Sequence, residues 1–318
     1  MASHQTIWSG LGKIPYFKHV FYAGSILSFI WLAYKCIVAI QLPMVWDLQK
    51  QLMLLAVLAM VPVNWLLEAL KLRQGLLHDW TIRKCLGIVL SGLATGLLFP
   101  IGGAQWGGRV LSVPAEQSVQ VLRISLLSSW GQTFSNVFMG LILGYGSYHL
   151  LTEWVGPPQI FLILSLSVVV GVVGINMLNR ISLIQGLLNR IFKKTLFDIY
   201  RIKPKTMLVV FLLSWLRYLV YGLQYFIMVQ IFTALGPKES IQAVSLILLI
   251  QSLVYLPTVF QGLLRGGIGA WVFGKFGLEY EVGSSLAVLM FWINIIFPAL
   301  PGCYTMFKEI NNEKISNY

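Results

Sequence analysis

Four arginines stand within or beside apolar runs of this chain: Arg217 in FLLSWLRYLVYGLQYF, Arg109 in PIGGAQWGGRVL, Arg265 in FQGLLRGGIGAW, and Arg123 in VQVLRISLL. An arginine fork suits phosphate or carboxylate oxygens, and glycine-rich backbone beside it can add N–H donors to an anion site. Of the eleven acids, ten are assigned to loops or interfaces, and Glu68 alone falls inside an apolar segment. Anion binding is therefore the chemistry these residue types suggest.

Arg217 lies about eleven residues beyond the basic edge of its segment, roughly 16 Å into a bilayer at helical rise. An arginine at that depth costs on the order of 2.5–3.5 kcal/mol on insertion scales, which makes it a functional candidate. Tyr221 and Gln224 share its helical face and could hydrogen-bond a ligand. The alternative for Arg217 is a structural pair with Glu68 or with helix-end carbonyls. Arg109 and Arg265 read either as a cradle for a lipid phosphate or as side chains snorkelling to the interface. Glu68, one turn from Lys71, reads either as a cavity residue or as a surface ion pair at a helix end. Gln132 and Asn136 lie one turn apart, with Ser128 and Ser129 a turn earlier, and such a stripe lines a cavity or joins helices. Gln105 and Gln261 complete the candidate cavity lining, and Gln251 is a weaker candidate.

Catalytic groups are not expected. The chain offers no paired-carboxylate site and no serine in a recognisable nucleophile elbow. Cys36, Cys85 and Cys303 are isolated and the four histidines scattered, so neither a metal site nor a cofactor is expected. No Gly-x-x-x-x-Gly-Lys-Ser/Thr loop is present, so ATP would not drive the protein directly.

The elements that must position these residues are membrane helices. The 318 residues are 57% hydrophobic and 11% charged, against the roughly 25% charge of soluble domains. Apolar segments near 19–41, 51–70, 86–103, 124–148, 158–178, 207–232, 241–257 and 283–306 are candidate spans. No cleaved signal peptide is read at the N-terminus. The net charge of +12 reports orientation first, not nucleic acid. The basic loop 179–206 is placed in the cytoplasm with an interfacial helix in its first part. The loop 71–85, with Lys71, Arg73, Arg83 and Lys84, joins it there, as does the N-terminus, whereas 149–157 faces out.

These sides conflict if 86–103 crosses the bilayer, and agree if 86–120 enters and leaves on the cytoplasmic side, with Pro100, Gly102, Gly103, Gly107 and Gly108 marking the turn. The stretch 255–277 repeats the grammar with Pro257, Gly266, Gly267 and Gly269. Two interrupted segments in corresponding halves point to a transporter-like site. The expected fold is an all-α polytopic bundle of about six full spans plus two re-entrant glycine-rich elements. It forms one membrane domain with pseudo-repeat halves 1–178 and 207–318 and both termini cytoplasmic.

Together, NWLLEALKLR (64–73), GLLFPIGGAQWGGRV, SSWGQTFSN (128–136) and LPTVFQGLLRGGIGAWVFGKFG resemble the flippase-like membrane region of lysylphosphatidylglycerol synthases, as a divergent stand-alone member. The resemblance covers nearly the whole chain, and its specificity lies in the order of the landmarks. Where that family commonly carries acids, this chain has Gln105 after Pro100, Gln132, Thr133 and Asn136 in the next helix, and Val272 after the paired glycines. The resemblance implies movement of a phospholipid between leaflets of a plasma or inner membrane. Aminoacyl transfer belongs to a separate domain in the synthases and is not expected here. The partners implied are membrane lipids, an anionic phospholipid or a polyprenyl-linked lipid, with a homo-oligomer or a lipid-modifying enzyme as further partners. The alternatives are an accessory subunit or an enzyme of lipid or glycolipid modification.

Overall fold

Three helices are long and apolar enough to cross a membrane among the described residues: Leu48–Gly75 (α1), Pro204–Phe232 (α5) and Tyr280–Thr305 (α8). The structure is a computed structural model describing residues 47–75, 80–99, 103–144, 147, 203–254 and 256–305, all in the unit Pro43–Tyr318. Between the long helices lie Ile82–Leu98 (α2), Ala104–Leu111 (α3) and Ala115–Leu143 (α4), then Pro237–Leu253 (α6) and Thr258–Lys275 (α7). Among the described residues every element in this order is α-helical, apart from one π-turn at Trp292–Ile296 inside α8. The segments 19–41 and 158–178, the loop 149–157 and most of the basic loop 179–206 lie outside the described residues.

Burial is arranged for a non-aqueous surrounding. The outer face of α5 exposes Leu208, Leu212, Leu216, Leu219 and Leu223, and α1 exposes Leu48, Leu52, Leu55 and Leu58. Leucines at helical spacing on the surface, with polar groups turned inward, suit lipid and not water. The 28 residues of α1 span about 42 Å at helical rise, more than the ~30 Å hydrocarbon layer. α4 is as long, but Ser125, Ser128, Gln132, Ser135 and Asn136 make it too polar to count with these three.

Hydrogen bonds fix the helix directions. Arg217 meets Asn64 and Glu68, while Gln224 reaches the carbonyl of Val57, so α5 runs antiparallel to α1. Between α4 and α5 the pairs Phe134–Phe211 and Phe138–Trp215 advance together, which makes these two parallel. α2 and α3 fold back on each other across residues 99–103. Gly103 holds φ 87°, a left-handed conformation open to glycine at little cost. Their contact is backbone-close: a Cβ on Gly92 would meet the Gln105 carbonyl oxygen at 2.6 Å, and one on Gly108 would strike Thr95. The second reversal, at residues 254–257, sends α7 back from α6, and α7 then packs antiparallel along α8. The ends of the two hairpins meet where Gly96 faces Thr258 beside Gln105. Further out, α4 packs on α6 at Gly140 and α8 packs on α2 at Gly302.

Several expectations are corrected here. Lys71 is not in a loop: α1 continues to Gly75, and Lys71 is wholly buried. Arg123, at the edge of the expected span 124–148, sits well inside a helix that already begins at Ala115. Gly266, Gly267 and Gly269 do not form a turn but lie within α7, and the reversal precedes them at Pro257. The reason for Gly269 is helix contact, since a Cβ there would lie 2.5 Å from the Ala287 Cβ and 2.6 Å from the Gly283 carbonyl oxygen. Gly107 and Gly108 likewise belong to α3, whereas Pro100 and Gly102 lie outside the described residues.

Adjacent glycines differ sharply in surroundings, which gives a direct test. A Cβ on Gly107 or Gly267 has nothing within 4 Å. Gly107→Ala and Gly267→Ala should therefore change stability by no more than about 0.5 kcal/mol. Gly108→Ala and Gly269→Ala should each cost about 1–3 kcal/mol through forced helix separation. Thermal unfolding of the four variants in detergent checks the contrast.

Candidate functional site

The site grows from one face of α1. Asn64, Glu68 and Lys71 follow one another at i, i+4 and i+7, and all three are buried. Pro62, just before them, has no N–H to give the Leu58 carbonyl, so the helix ladder is already interrupted at this level. Glu68 is 3% exposed and its carboxylate is saturated. Oε1 accepts from Arg109 Nη1 at 3.0 Å and from the Ser128 hydroxyl at 2.9 Å. Oε2 takes Lys71 Nζ at 2.7 Å and Arg217 Nη1 at 2.7 Å. Three cations from α1, α3 and α5 thus converge on one carboxylate, leaving two positive charges in excess within the cluster.

Each cation is held differently. Lys71 Nζ also donates to Ser214 Oγ at 3.3 Å and to Gln132 Oε1 at 3.5 Å, so all three of its protons are engaged. Arg109 Nε, also buried, has no acceptor among the described residues. Arg217 Nε donates to Asn64 Oδ1 at 2.8 Å, and the guanidinium carbon lies 5.0 Å from the centre of the Trp65 ring. Arg217 is the member of the cluster that reaches the surface, with 17% of its side chain exposed against 3% for Arg109 and 0% for Lys71.

Two polar extensions leave this centre. Along α4, Gln132 donates to Asn136 Oδ1 at 3.0 Å and Asn136 to Ser252 Oγ at 2.8 Å, carrying the network to α6. Toward α8, Asn64 donates to Asn294 Oδ1 at 3.3 Å, and the Trp65 indole donates to the Asn294 carbonyl at 3.0 Å. Asn294 lies in the π-turn, a helix irregularity frequent at functional sites.

One turn past Arg217 on α5, the Tyr221 hydroxyl accepts from Arg265 Nη1 at 3.1 Å. Arg265 also donates to Gln261 Oε1 at 3.4 Å and stands 5.5 Å from the Phe291 ring centre. No carboxylate pairs with Arg265 among the described residues.

The structure therefore unites Glu68, Arg109, Arg217 and Gln132 in one cluster, with Tyr221, Gln261 and Arg265 beside it on the α5–α7 contact. The surface ion pair considered for Glu68 and Lys71 is instead a buried one, because α4 and α5 cover that face of α1. Gln224 does not join the group: it is fully buried and donates to the Val57 carbonyl at 2.9 Å, tying α5 to α1. Gln105 stands at the meeting of the hairpin ends. Among the described residues no group of His, Cys, Asp and Glu could hold a metal ion.

Ser214 and Asn294 were not singled out from the sequence, and Lys71 entered only as a surface partner for Glu68 and as a loop cation. The signal for Lys71 was its i+3 relation to Glu68; for Asn294 it was a lone amide in LMFWINIIF. No family model, curated protein or solved structure matches the chain.

Removing the carboxylate leaves three buried cations without their shared partner, which costs about 3–5 kcal/mol in comparable buried pairs. Glu68→Leu is expected to lower the thermal midpoint steeply or to prevent accumulation of folded protein. Pairing it with Arg217→Met should recover part of the loss, and a double-mutant cycle on unfolding free energy measures that coupling.

Proposed function

We propose that this chain is a lipid transporter that moves an anionic lipid headgroup between leaflets, and that it is a relative of the flippase-like region of lysylphosphatidylglycerol synthases. The observation that carries the reading is the cationic excess buried around Glu68. A net positive centre at membrane depth is costly unless an anion completes it, and membrane lipids are the anions that reach such a depth. Neutral residues at Gln105, Gln132, Asn136 and Val272 disfavour proton coupling through those positions. Movement down a lipid gradient is the simplest energetic scheme.

The proposed membrane arrangement has six full spans and two re-entrant helical hairpins, α2–α3 from the cytoplasmic side and α6–α7 from the outside. Supporting it, α1 to α4 and α5 to α8 follow one plan: a long helix, a 17-residue helix, a return helix and a second long helix. α1 and α5 run antiparallel, as halves of opposite orientation would. The contacts exchange accordingly, α4 with α6 and α8 with α2. In transporters built from inverted halves, discontinuous helices meet near the midplane and form the substrate site. The meeting of Gly96 and Thr258 fits that description.

Reconstituted into liposomes, the native chain is expected to exchange labelled anionic lipid between leaflets. Arg217→Ala and Arg265→Ala should each slow exchange about 10- to 100-fold, the weight of one charged hydrogen bond. No exchange by well-folded native protein across several anionic lipids would contradict transport. For orientation, Cys36, Cys85 and Cys303 are replaced and single cysteines put at Leu111 and Lys238. Leu111→Cys should label only from the cytoplasmic side and Lys238→Cys only from outside. Labelling of both from one side would contradict opposed hairpins.

A further inference from the structure

We infer that the ligand at this site is a dianionic phosphate, a phosphate monoester or diphosphate headgroup, and not a monoanionic diester or a zwitterion. The inference rests on the lipid reading above and names its chemical class. Two features support it independently, one of charge and one of donor geometry.

The charge argument is the simpler. Three cations on one carboxylate leave two positive charges in excess. A diester headgroup would cancel one of them and leave the other desolvated, whereas a monoester dianion cancels both. Arg265, without a carboxylate among the described residues, adds further positive potential about 6 Å along α5, the rise of the four residues from Arg217 to Tyr221.

The donors point to the same group. Arg217 uses Nε on Asn64 and Nη1 on Glu68, so its Nη2 is the nitrogen without an acceptor among the described residues. The Tyr221 hydroxyl accepts from Arg265 Nη1 and keeps its own proton to donate. The Arg265 contact to Gln261 is long, at 3.4 Å, and is readily exchanged for a charged acceptor. Arg217 Nη2, the Tyr221 hydroxyl one turn along α5 and Arg265 bonded to that hydroxyl thus offer three donors, matching the three terminal oxygens of a monoester. A diester has only two such oxygens. Lys71, whose protons are all engaged, supplies charge without contact. Glu68 in this scheme is the resident counter-ion with which the phosphate competes for Arg217.

The test is equilibrium binding of short-chain phosphatidic acid and short-chain phosphatidylglycerol to the purified full-length chain in detergent. At pH 8 the monoester should bind about tenfold or more tightly than the diester, the scale of one close charge pair. The preference should shrink toward pH 5, because the second proton of a monoester returns near pH 6. The diester serves as the control for titration of the protein groups that face the ligand. These are Glu68 and Lys71 from α1, Arg109 from α3, Arg217 and Tyr221 from α5, and Arg265 from α7; α4 and α8 meet them through neutral Ser128, Gln132 and Asn294.

Arg265→Gln, which leaves the two excess charges of the Glu68 cluster in place, should reduce the preference without abolishing it, while unfolding at the native temperature. Glu68→Gln should bind phosphatidic acid more tightly than the native chain and exchange it more slowly. Equal affinity for the two lipids at pH 8, or an unchanged preference in Arg265→Gln, would overturn the inference. Inorganic phosphate that fails to compete supports the headgroup as the source. If it binds as tightly as the lipid, the dianion assignment stands and the lipid reading falls. Selective binding without leaflet exchange would contradict transport and leave the phosphate class standing.

Discussion

The bidding of three cations for one buried carboxylate governs this structure. At an effective dielectric of about 20, a unit pair 4 Å apart attracts by roughly 4 kcal/mol, and Glu68 is in direct contact with all three. That attraction draws together α1, which carries Glu68 and Lys71, α3, which carries Arg109, and α5, which carries Arg217. Ser128 brings α4 to the same carboxylate. Glu68 is thus where α1, α3 and α5 are held by charge and α4 by the Ser128 hydroxyl, while the leucines on the outer faces of α1 and α5 contribute little cohesion among themselves in lipid.

The hairpins determine which cations arrive. An eight-residue helix such as α3 has little core of its own, and its hold on α2 comes from the contact that Gly92 and Gly108 allow. Only at that separation does Arg109 lie against Gly92 with its guanidinium turned to Glu68. On the other side, the Gly269–Gly283 contact sets α7 against α8, and α7 carries Arg265 to Tyr221. Small residues away from the charges thereby set the charge geometry. The π-turn of α8 adds a third influence, since Asn294 holds Asn64 and Asn64 holds Arg217 Nε. A shift in α8 would change what Arg217 can reach.

Much of this was legible from residue types and depth. For Arg217 at mid-segment, a pair with Glu68, the lone acid in an apolar run, was the alternative to a ligand role, and the structure has that pair. Charge bookkeeping and the glycines of 86–120 suggested a return of the chain there, and α2 does pack back along α3. Lys71 was misplaced by the same reasoning: counting it with Arg73, Arg83 and Lys84 assigned it to a loop, although a lysine seven residues from Asn64 shares its face of α1. Gly266, Gly267 and Gly269 were misread as a turn because glycine serves reversals and close helix contacts equally, and only the neighbouring helix distinguishes them. The approach of Arg109 to Glu68, 41 residues apart in the chain, has no local signature.

The central claim is that the buried positive excess beside Glu68 is completed by a phosphate. Phosphorus–nitrogen dipolar coupling tests it most directly, in the full-length chain carrying nitrogen-15 arginine within phosphatidic acid bilayers, read as the difference between native protein and Arg217→Lys. A phosphate held by charged hydrogen bonds of about 2.8 Å puts phosphorus roughly 4 Å from a guanidinium nitrogen, and the account predicts a coupling of that size that loses its Arg217 part in the variant and keeps its Arg265 part. A native spectrum with no such coupling, or one unchanged by Arg217→Lys, would contradict it.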